Sequence, residues 1–247
     1  MSMKKIKALS ILILLLTSYV QLPGQAAKTD ISQAISGKHL KPYSNKWKMY
    51  SVDGQGKETL VTIWTDYAQL IDLEGTAYVS RIQELYNPDM TLRELWTNLF
   101  EHETMLPYRA SQFKTTGDYI YTEFGTDKVI HSTKTATREA VKVDYRRDGA
   151  TYDWTMYGVL LSGLPFKKGE SYSIPIFTQQ NERGKGTILA TIAGQETITD
   201  DSKKNHATWR VDTNAGLTFW LTKKAPYVIQ LSLPAQNGGK MIWRMYE

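Results

Sequence analysis

The chain has 247 residues, no cysteine, and 30 basic against 25 acidic side chains. The absence of cysteine excludes disulfide bonds, thiolate chemistry and lipid attachment at an N-terminal cysteine. Because three of the basic residues lie within the first 26 positions and no acidic residue does, the remaining chain is nearly neutral. A charge balance of this kind does not predict binding to nucleic acid.

The first 26 residues have the pattern of an export signal. Lysines within residues 4–7 precede an apolar stretch, residues 8–20, which is shorter than the roughly 20 residues of a membrane-spanning helix. Gly24 and Ala26 place small residues at the −3 and −1 positions of a cleavage site. We therefore expect cleavage near Ala26 and a periplasmic or extracellular location, with an uncleaved N-terminal anchor as the alternative. No second run of 18 apolar residues follows, so no transmembrane segment is predicted in the mature chain.

The rest of the chain divides into a polar arm, residues 27–45, and a single domain, residues 46–247, with the spacing of an all-β protein. Apolar and polar residues alternate in short runs separated by turn residues, as in antiparallel sheets. The predicted strands cover residues 47–52, 60–64, 67–72, 76–85, 92–100, 105–113, 118–124, 128–133, 139–146, 172–178, 187–198, 207–212, 217–222, 227–233 and 241–246.

Some of these segments allow a second interpretation. Residues 92–100 could form a helix, because Thr91 and Glu94 have the spacing of a capping box, although the surrounding strands favour a strand. Pro107 suggests an edge or a bulge at the start of its strand, and Gly194 suggests a bulge or a turn. Residues 237–239, Asn-Gly-Gly, predict a hairpin turn between the last two strands.

The longest apolar run of the mature chain is residues 153–177, which separate the two sets of strands. Trp154, Tyr157, Leu161 and Leu164 have the spacing of one helix face. Asp153 is a suitable N-cap, and Gly163 followed by Pro165 would end the helix. We expect a short helix that either plugs a filled interior or forms a lid over an open cavity.

Candidates for catalysis or metal binding are weak. His39, His102, His131 and His206 are widely separated, and the Glu101-His102-Glu103 triplet lacks the second histidine of a zinc-binding helix, since that position is Leu106. We expect neither a metal site nor a cofactor. Asp118, Glu123 and Asp144 could supply paired carboxylates to a hydrolase, although acidic residues on strands usually face solvent.

The last set of candidate residues consists of large aromatic and apolar side chains. They would either fill the interior of a curved sheet or line a ligand pocket. Trp64 belongs to the same aromatic set. The candidate pocket or lid residues are Trp96, Tyr121, Phe124, Trp154, Tyr157, Leu161, Leu164, Phe166, Trp209 and Trp220.

The order of several short motifs resembles an exported bacterial family known as domain of unknown function 3108. That family is similar in fold to periplasmic lipoprotein carriers, which are curved half-barrels closed by helical lids over an apolar cavity. The resemblance implies a fold and a compartment but supplies no site residues. The motifs are Arg81-Ile82-Gln83, residues 103–107 (Glu-Thr-Met-Leu-Pro), residues 153–166 with Asp-Trp at one end and Leu-Pro-Phe at the other, residues 193–196 (Ala-Gly-Gln-Glu), residues 208–211 (Thr-Trp-Arg-Val), residues 218–221 (Thr-Phe-Trp-Leu) and Pro226.

The sequence therefore predicts an exported, mainly all-β protein with a single curved antiparallel sheet or half-barrel and a short helical plug or lid. By fold analogy, we expect a non-enzymatic protein that binds a lipid, an acyl chain or a lipidated protein. Two alternatives remain: an envelope scaffold that binds a protein partner through an apolar patch or a sheet edge, and a carboxylate-dependent hydrolase.

Overall fold

The computed structural model describes residues 31–178, 184–235 and 238–247. The predicted export signal, its cleavage site, the first residues of the arm and part of the turn at residues 237–239 lie outside the described residues.

Strands make up 62% of the structure, and the helices are short. The helical elements are α1 (Ile31–Ala34), a 3₁₀ turn (Trp154–Met156) and α2 (Tyr157–Ser162). The strands are β1 (Tyr43–Val52), β2 (Glu58–Leu73), β3 (Thr76–Tyr86), β4 (Leu92–Glu101), β5 (Pro107–Lys114), β6 (Tyr119–Phe124), β7 (Lys128–Thr135), β8 (Arg138–Arg146), β9 (Tyr152–Asp153), β10 (Ser171–Phe177), β11 (Lys185–Thr199), β12 (Asn205–Thr213), β13 (Thr218–Leu221), β14 (Val228–Pro234) and β15 (Lys240–Met245).

All the strands belong to one sheet, in the order β8-β7-β6-β5-β4-β3-β2-β1-β15-β14-β13-β12-β11-β10-β9. The chain runs outward from β1 to the edge at β8, crosses to the opposite edge, and returns strand by strand to β15, which pairs with β1. Neighbouring strands are antiparallel except for β9 and β10, which are parallel. The curved antiparallel sheet with a helical plug, predicted from sequence, is confirmed.

Residues 92–100 form a strand, as their context favoured. Glu94, Trp96, Asn98 and Phe100 are buried and alternate with partly exposed residues along β4, which is the pattern of a strand with one covered face. Glu94 therefore points to the covered side of the sheet, where it bonds to other side chains instead of capping a helix.

The predicted irregularities at Gly194 and Pro107 are both present. The register between β11 and β12 shifts at Ile192 and Gly194, where Gly194 has a φ of 147° that side-chain-bearing residues rarely adopt. The register between β4 and β5 shifts where Phe100 pairs with Pro107. Both bulges occur at a residue whose backbone differs from that of other residues, a glycine in one case and a proline in the other, so both could be predicted from the sequence.

The two edges of the sheet approach each other at one end. Phe177 at the end of β10 packs against Phe124 and Tyr145, with ring centroids 5.9 and 5.3 Å apart. The Lys185 ammonium also forms an ion pair with Asp148 in the segment that follows β8. These contacts bring the two edges of the sheet together although β8 and β9 are not hydrogen-bonded to each other.

Residues 152–164 lie on one side of the sheet, which we call the inner face. One continuous apolar core joins this segment to strands from both halves of the sheet and to the strap, residues 31–42. In the three described ranges, the helices are too short to cross a membrane.

Candidate functional site

The centre of the molecule is the plug, which we define as residues 154–164. The Asp153 carboxylate accepts a hydrogen bond of 3.0 Å from the Thr155 backbone N–H and so caps the 3₁₀ turn that opens the plug. Gly163 is the C-cap of α2. The predicted helix and both of its end signals are therefore confirmed.

The plug is packed on nearly all sides, so the interior around it is filled. Its buried residues are Met156, Val159, Leu160, Leu161 and Leu164, each no more than 1% exposed. A methyl group added to Gly158 would lie 2.8 Å from Val228 on β14, which is closer than carbon atoms pack. Of the two expectations for this segment, the structure shows the filled plug around Leu161 and Leu164 and not a lid over a cavity.

The strap holds the plug from the other side. Ile31, Ile35 and Leu40 belong to the buried core, and the two ring nitrogens of His39 lie 3.1 Å from Ser36 O and from Ser162 Oγ at the end of α2. Burial, followed by the charge of Lys223, lowers the pKa of His39 to about 4. The strap is therefore an integral part of the packed body and not a loose arm.

A buried polar network ties the start of the plug to the sheet. Asp66 on β2 and Arg81 on β3 form an ion pair whose side chains are 6% and 7% exposed, and Arg81 also donates to Thr155 O at 3.2 Å. Asn98 on β4 donates to Asp153 and to Thr155 at 2.9 and 2.6 Å. The network fixes where the plug enters the sheet, because buried polar groups require partners.

The pKa values of two charged groups in the network differ from their usual values. Burial raises the pKa of Asp153, which its hydrogen bonds to Thr155 and Asn98 only partly offset. Burial acts to lower the pKa of Arg81, but the Asp66 carboxylate outweighs it and the net pKa is raised. Arg81 is therefore charged at any pH at which the protein is folded.

Strands β4 to β8 extend beyond the plug, and we call residues 92–146 the wing. Alternate residues of the wing lie on its inner face, because Trp96 and Asn98 contact the plug and register partners on neighbouring strands share a face. One inner row consists of Trp96, Gln112, Ile120, Thr133 and Val141, and the next row of Asn98, Ala110, Thr122, His131 and Val143.

An aromatic series crosses from the sheet to the plug on this face. Trp64 contacts Trp96, Trp96 contacts Trp154, and Trp154 contacts Tyr157, with centroid distances of 5.5, 5.9 and 6.3 Å. Trp96 is buried, whereas Trp64, Trp154 and Tyr157 are partly exposed. Such rings offer a large apolar surface with a hydrogen-bonding edge.

Polar groups surround the series at the middle of the wing. The Glu94 carboxylate is buried and accepts hydrogen bonds from Trp96 Nε1 at 2.9 Å and from Gln112 Nε2 at 2.8 Å. Gln83 on β3, which faces Trp96 in register, is 2% exposed and its side-chain oxygen has no hydrogen-bond partner in the described part of the chain. This inner surface therefore combines rings with oriented amide and carboxylate groups.

The outer end of the wing is uncovered. Val141 and Val143 on β8 are 55% and 40% exposed, although their strand has the alternation of a half-buried strand. They continue the two inner rows, and in the ranges that the structure describes nothing covers them. Apolar side chains exposed side by side on a concave face are a feature of binding surfaces.

The ten candidate residues fall into separate groups. Trp96, Trp154 and Tyr157 belong to the aromatic series, whereas Leu161 and Leu164 are enclosed in the core. Phe124 packs against Phe177 at the approach of the two edges, and Phe166 packs against Trp209 with centroids 5.7 Å apart. Tyr121 and Trp220 lie on the opposite face, where they bond to Glu123 and Glu196 at 3.4 and 2.7 Å.

The other sequence candidates are placed as follows. Asp118 accepts hydrogen bonds from the Thr116 hydroxyl in its own turn and from the Ala136 backbone N–H in the turn between β7 and β8. Asp144 on β8 pairs with Lys128 in an exposed salt bridge. Glu123 and Asp144 share the outer face but are separated by Ile130 on β7. His102 bonds to Leu40 O at 3.0 Å. In the described part of the chain, no group of three histidine or acidic side chains could hold a metal ion.

Sequence reasoning missed two parts of the inner face. Arg81 and Gln83 were noticed only as a family motif, yet both point inward from β3. The available signal was their period-two spacing with the apolar residues Val79 and Leu85, which places all four residues on one face of β3. The spacing of Val141 and Val143 places both on one face of β8, but their exposure depends on where the plug ends, which no local pattern indicates.

Comparisons with known proteins identify a family but assign no activity. The family model described as "Protein of unknown function (DUF3108)" matches residues 43–242, and none of the curated proteins matches the chain.

Solved structures with a similar chain path include a β-barrel-like protein of the domain of unknown function DUF1849 from Brucella abortus, with a TM-score of 0.46, 10% identity and coverage of 83% of this chain and 96% of that one. Another is a candidate exported protein with a YmcC-like fold from Bacteroides fragilis, with a TM-score of 0.37, 6% identity and coverage of 87% and 98%.

Proposed function

This chain belongs to the DUF3108 family of proteins of unknown function, and we propose that it is an exported cell-envelope protein that binds a lipophilic or amphipathic ligand on the inner face of its wing without changing it chemically. The ligand could be free or attached to a protein. The observation that carries the proposal is the exposure of Val141 and Val143, 55% and 40%, on the face that also bears the aromatic series.

Burial of apolar surface would supply most of the affinity. Each Å² of apolar surface removed from water contributes about 25 cal/mol, and an acyl chain lying from Val141 toward Trp154 would follow the inner row through Ile120 and Thr133. The rings of Trp154 and Tyr157 remain partly exposed and can pack against it. The plug contributes its exposed edge to this surface, whereas its buried side holds the core together.

Polar groups along the same path would orient the ligand. The Gln83 side-chain oxygen has no hydrogen-bond partner among the described residues. Glu94 lies on the neighbouring strand β4, and Gln112 lies on β5 on the other side of Trp96. A ligand with a hydrogen-bonding head and an apolar tail matches this arrangement of polar and apolar side chains. In a mainly apolar site, a few polar groups fix the orientation of the ligand.

Titration with a fluorescent long-chain acyl probe tests the proposal, with Val141→Asp and Ala140→Asp as a matched pair. Both residues are exposed on β8, but they point to opposite faces because they are adjacent in a strand. We expect Val141→Asp to weaken probe binding about tenfold or more, a loss of roughly 1.4 kcal/mol, and Ala140→Asp to leave it unchanged. Equal effects of the two substitutions, or no binding of the probe to the unsubstituted protein, would contradict the proposal.

Native mass spectrometry of the protein purified from its own host provides a second test. A carrier should retain a bound molecule whose mass identifies it as a lipid or acylated species. The same preparation of Val141→Asp should carry less of it. Protein that is consistently free of ligand in both forms would count against lipid binding and in favour of a structural role.

A further inference from the structure

The outer edge of the sheet at β8 is long and accessible. Residues 138–144 are all exposed, and β8 pairs with β7 alone among the described strands. An uncovered edge of this length presents unpaired backbone N–H and C=O groups to any strand that can align with it. A strand that aligns with β8 would cover this edge.

The direction of the free backbone groups can be read from the end of the strand. Arg147 N–H donates to Asp127 O at 2.8 Å, so backbone groups at residue 147 point toward β7. Because these groups alternate in direction along a strand, those of residues 141, 143 and 145 also point toward β7. The groups of residues 142, 144 and 146 therefore point outward from the sheet, whereas a register shift between Thr133 and Thr135 on β7 interrupts the alternation before Val141.

We propose that β8 pairs antiparallel with β8 of a second copy of this chain, in the register that places Val143 opposite Val143 of the second copy. A two-fold axis perpendicular to the sheet keeps the inner face of one copy continuous with the inner face of the other. The outward-pointing groups of residues 142 and 144 then form about four hydrogen bonds between the copies.

Charge complementarity selects this register. On the outer face, Lys142 of each copy stands opposite Asp144 of the other, which gives two attractive pairs related by the symmetry axis. On the inner face, Val141 of each copy stands opposite Tyr145 of the other, beside the central pair of Val143 side chains. No two like charges face each other.

The neighbouring registers are less favourable. Moving the axis from Val143 to Lys142 places the two Lys142 side chains opposite each other and Arg138 opposite Arg146, and like charges in direct opposition destabilise a strand pair. Moving it to Val141 places Glu139 opposite Val143, so that a carboxylate meets an exposed apolar side chain. The alternating charges of β8 therefore favour one pairing of the strand with itself.

The dimer goes beyond the proposed ligand binding and does not depend on it. It would join the inner faces of two wings into one surface, with Val141 and Val143 at its centre. Substitutions of Lys142 and Asp144 change the outer face and leave the surface that we propose for the ligand unaltered. Asp144→Lys also removes the exposed salt bridge to Lys128 within one copy, so Lys142→Asp is the cleaner of the two single variants.

Sedimentation velocity of the full chain, produced with its own export signal and studied over a range of concentrations, tests the dimer by charge exchange. We expect the unsubstituted protein to dimerise, and Lys142→Asp or Asp144→Lys to raise the dimer dissociation constant about tenfold, because each places two like-charged pairs across the axis. The double variant Lys142→Asp/Asp144→Lys restores opposite charges and should recover dimerisation. Lys57→Asp, in the turn between β1 and β2, is the control that should have no effect.

Several results would overturn the proposal. A monomer at every concentration would mean that the charges of β8 protect the edge from pairing, and a dimer insensitive to both single substitutions would place the interface elsewhere. Failure of the double variant to recover, with its folding verified by circular dichroism, would exclude this register. Dimerisation of the unsubstituted protein lost in both single variants and recovered in the double variant would support it.

Discussion

The guanidinium of Arg81 on β3 holds the carboxylate of Asp66 on β2 through hydrogen bonds of 2.9 and 2.6 Å, in a place where both side chains are less than a tenth exposed. The same guanidinium donates to Thr155 O in the plug. One buried ion pair therefore joins two strands and the segment that fills the space above them.

Removing one partner of this pair should be costly. We expect Arg81→Met to lower the free energy of unfolding by about 3–5 kcal/mol, because the Asp66 carboxylate would remain buried without its counter-charge. Chemical denaturation followed by tryptophan fluorescence measures the loss. The double variant Arg81→Met/Asp66→Leu should lose less than the single variant, since it leaves no buried charge, and a loss equal to or greater than that of Arg81→Met would contradict this account.

The filled interior around the plug makes Leu161 a stability residue. We expect Leu161→Ala to lower the free energy of unfolding by about 2–5 kcal/mol, as for other large-to-small changes in a packed core, because Leu161 is 1% exposed. Affinity for an acyl probe should stay unchanged below the unfolding transition. A clear loss of probe affinity in a well-folded Leu161→Ala variant would show that this residue lines a ligand site.

Gly158 in α2 should resist a substitution that normally stabilises helices. Alanine is favoured over glycine by about 1 kcal/mol within a helix, but here the added methyl group would lie 2.8 Å from Val228 Cγ2. We expect Gly158→Ala to destabilise the protein in thermal unfolding. Shortening the neighbour in Gly158→Ala/Val228→Ala should cost less than the sum of the two single changes, and strict additivity would argue against a direct clash.

Stability should depend on pH through His39. Burial and the Lys223 charge lower its pKa from 6.5 to about 4 in the folded state, so between these values the unfolded chain binds a proton that the folded chain does not. The free energy of unfolding should therefore fall by about 1–3 kcal/mol as the pH decreases from 6.5 to 4. Denaturation of His39→Gln across the same interval should show a smaller fall. An unchanged slope in that variant would assign the effect to other groups.

Local sequence signals predicted much of this architecture. Alternation of apolar and polar residues predicted most of the strands, because a strand that covers one face of a core must alternate. For residues 92–100 the surrounding strands favoured a strand over a helix. Asp153 and Gly163 marked the ends of the plug because helix termini require specific backbone partners. Gly194 marked a bulge because its backbone geometry is unfavourable for other residues.

The candidate site was predicted less well, because it depends on register and on what covers each face. Trp96, Trp154 and Tyr157 lie next to one another, whereas Tyr121 and Trp220 are equally aromatic and lie on the opposite face. A shift of one residue along a strand exchanges its faces, so residue type alone cannot assign a side chain to the inner surface.

The sequence by itself determined most of the strands and the position of the plug, since these follow from periodicity and from the conformational limits of single residues. It divided β2, Glu58–Leu73, into two strands, residues 60–64 and 67–72, and it did not predict β9. Only the tertiary structure decided that β1 pairs with β15, that Leu161 is enclosed and that Val141 is exposed. These outcomes depend on contacts between residues far apart in the chain. Each contact contributes a small packing energy, and their sum cannot be read from any short motif.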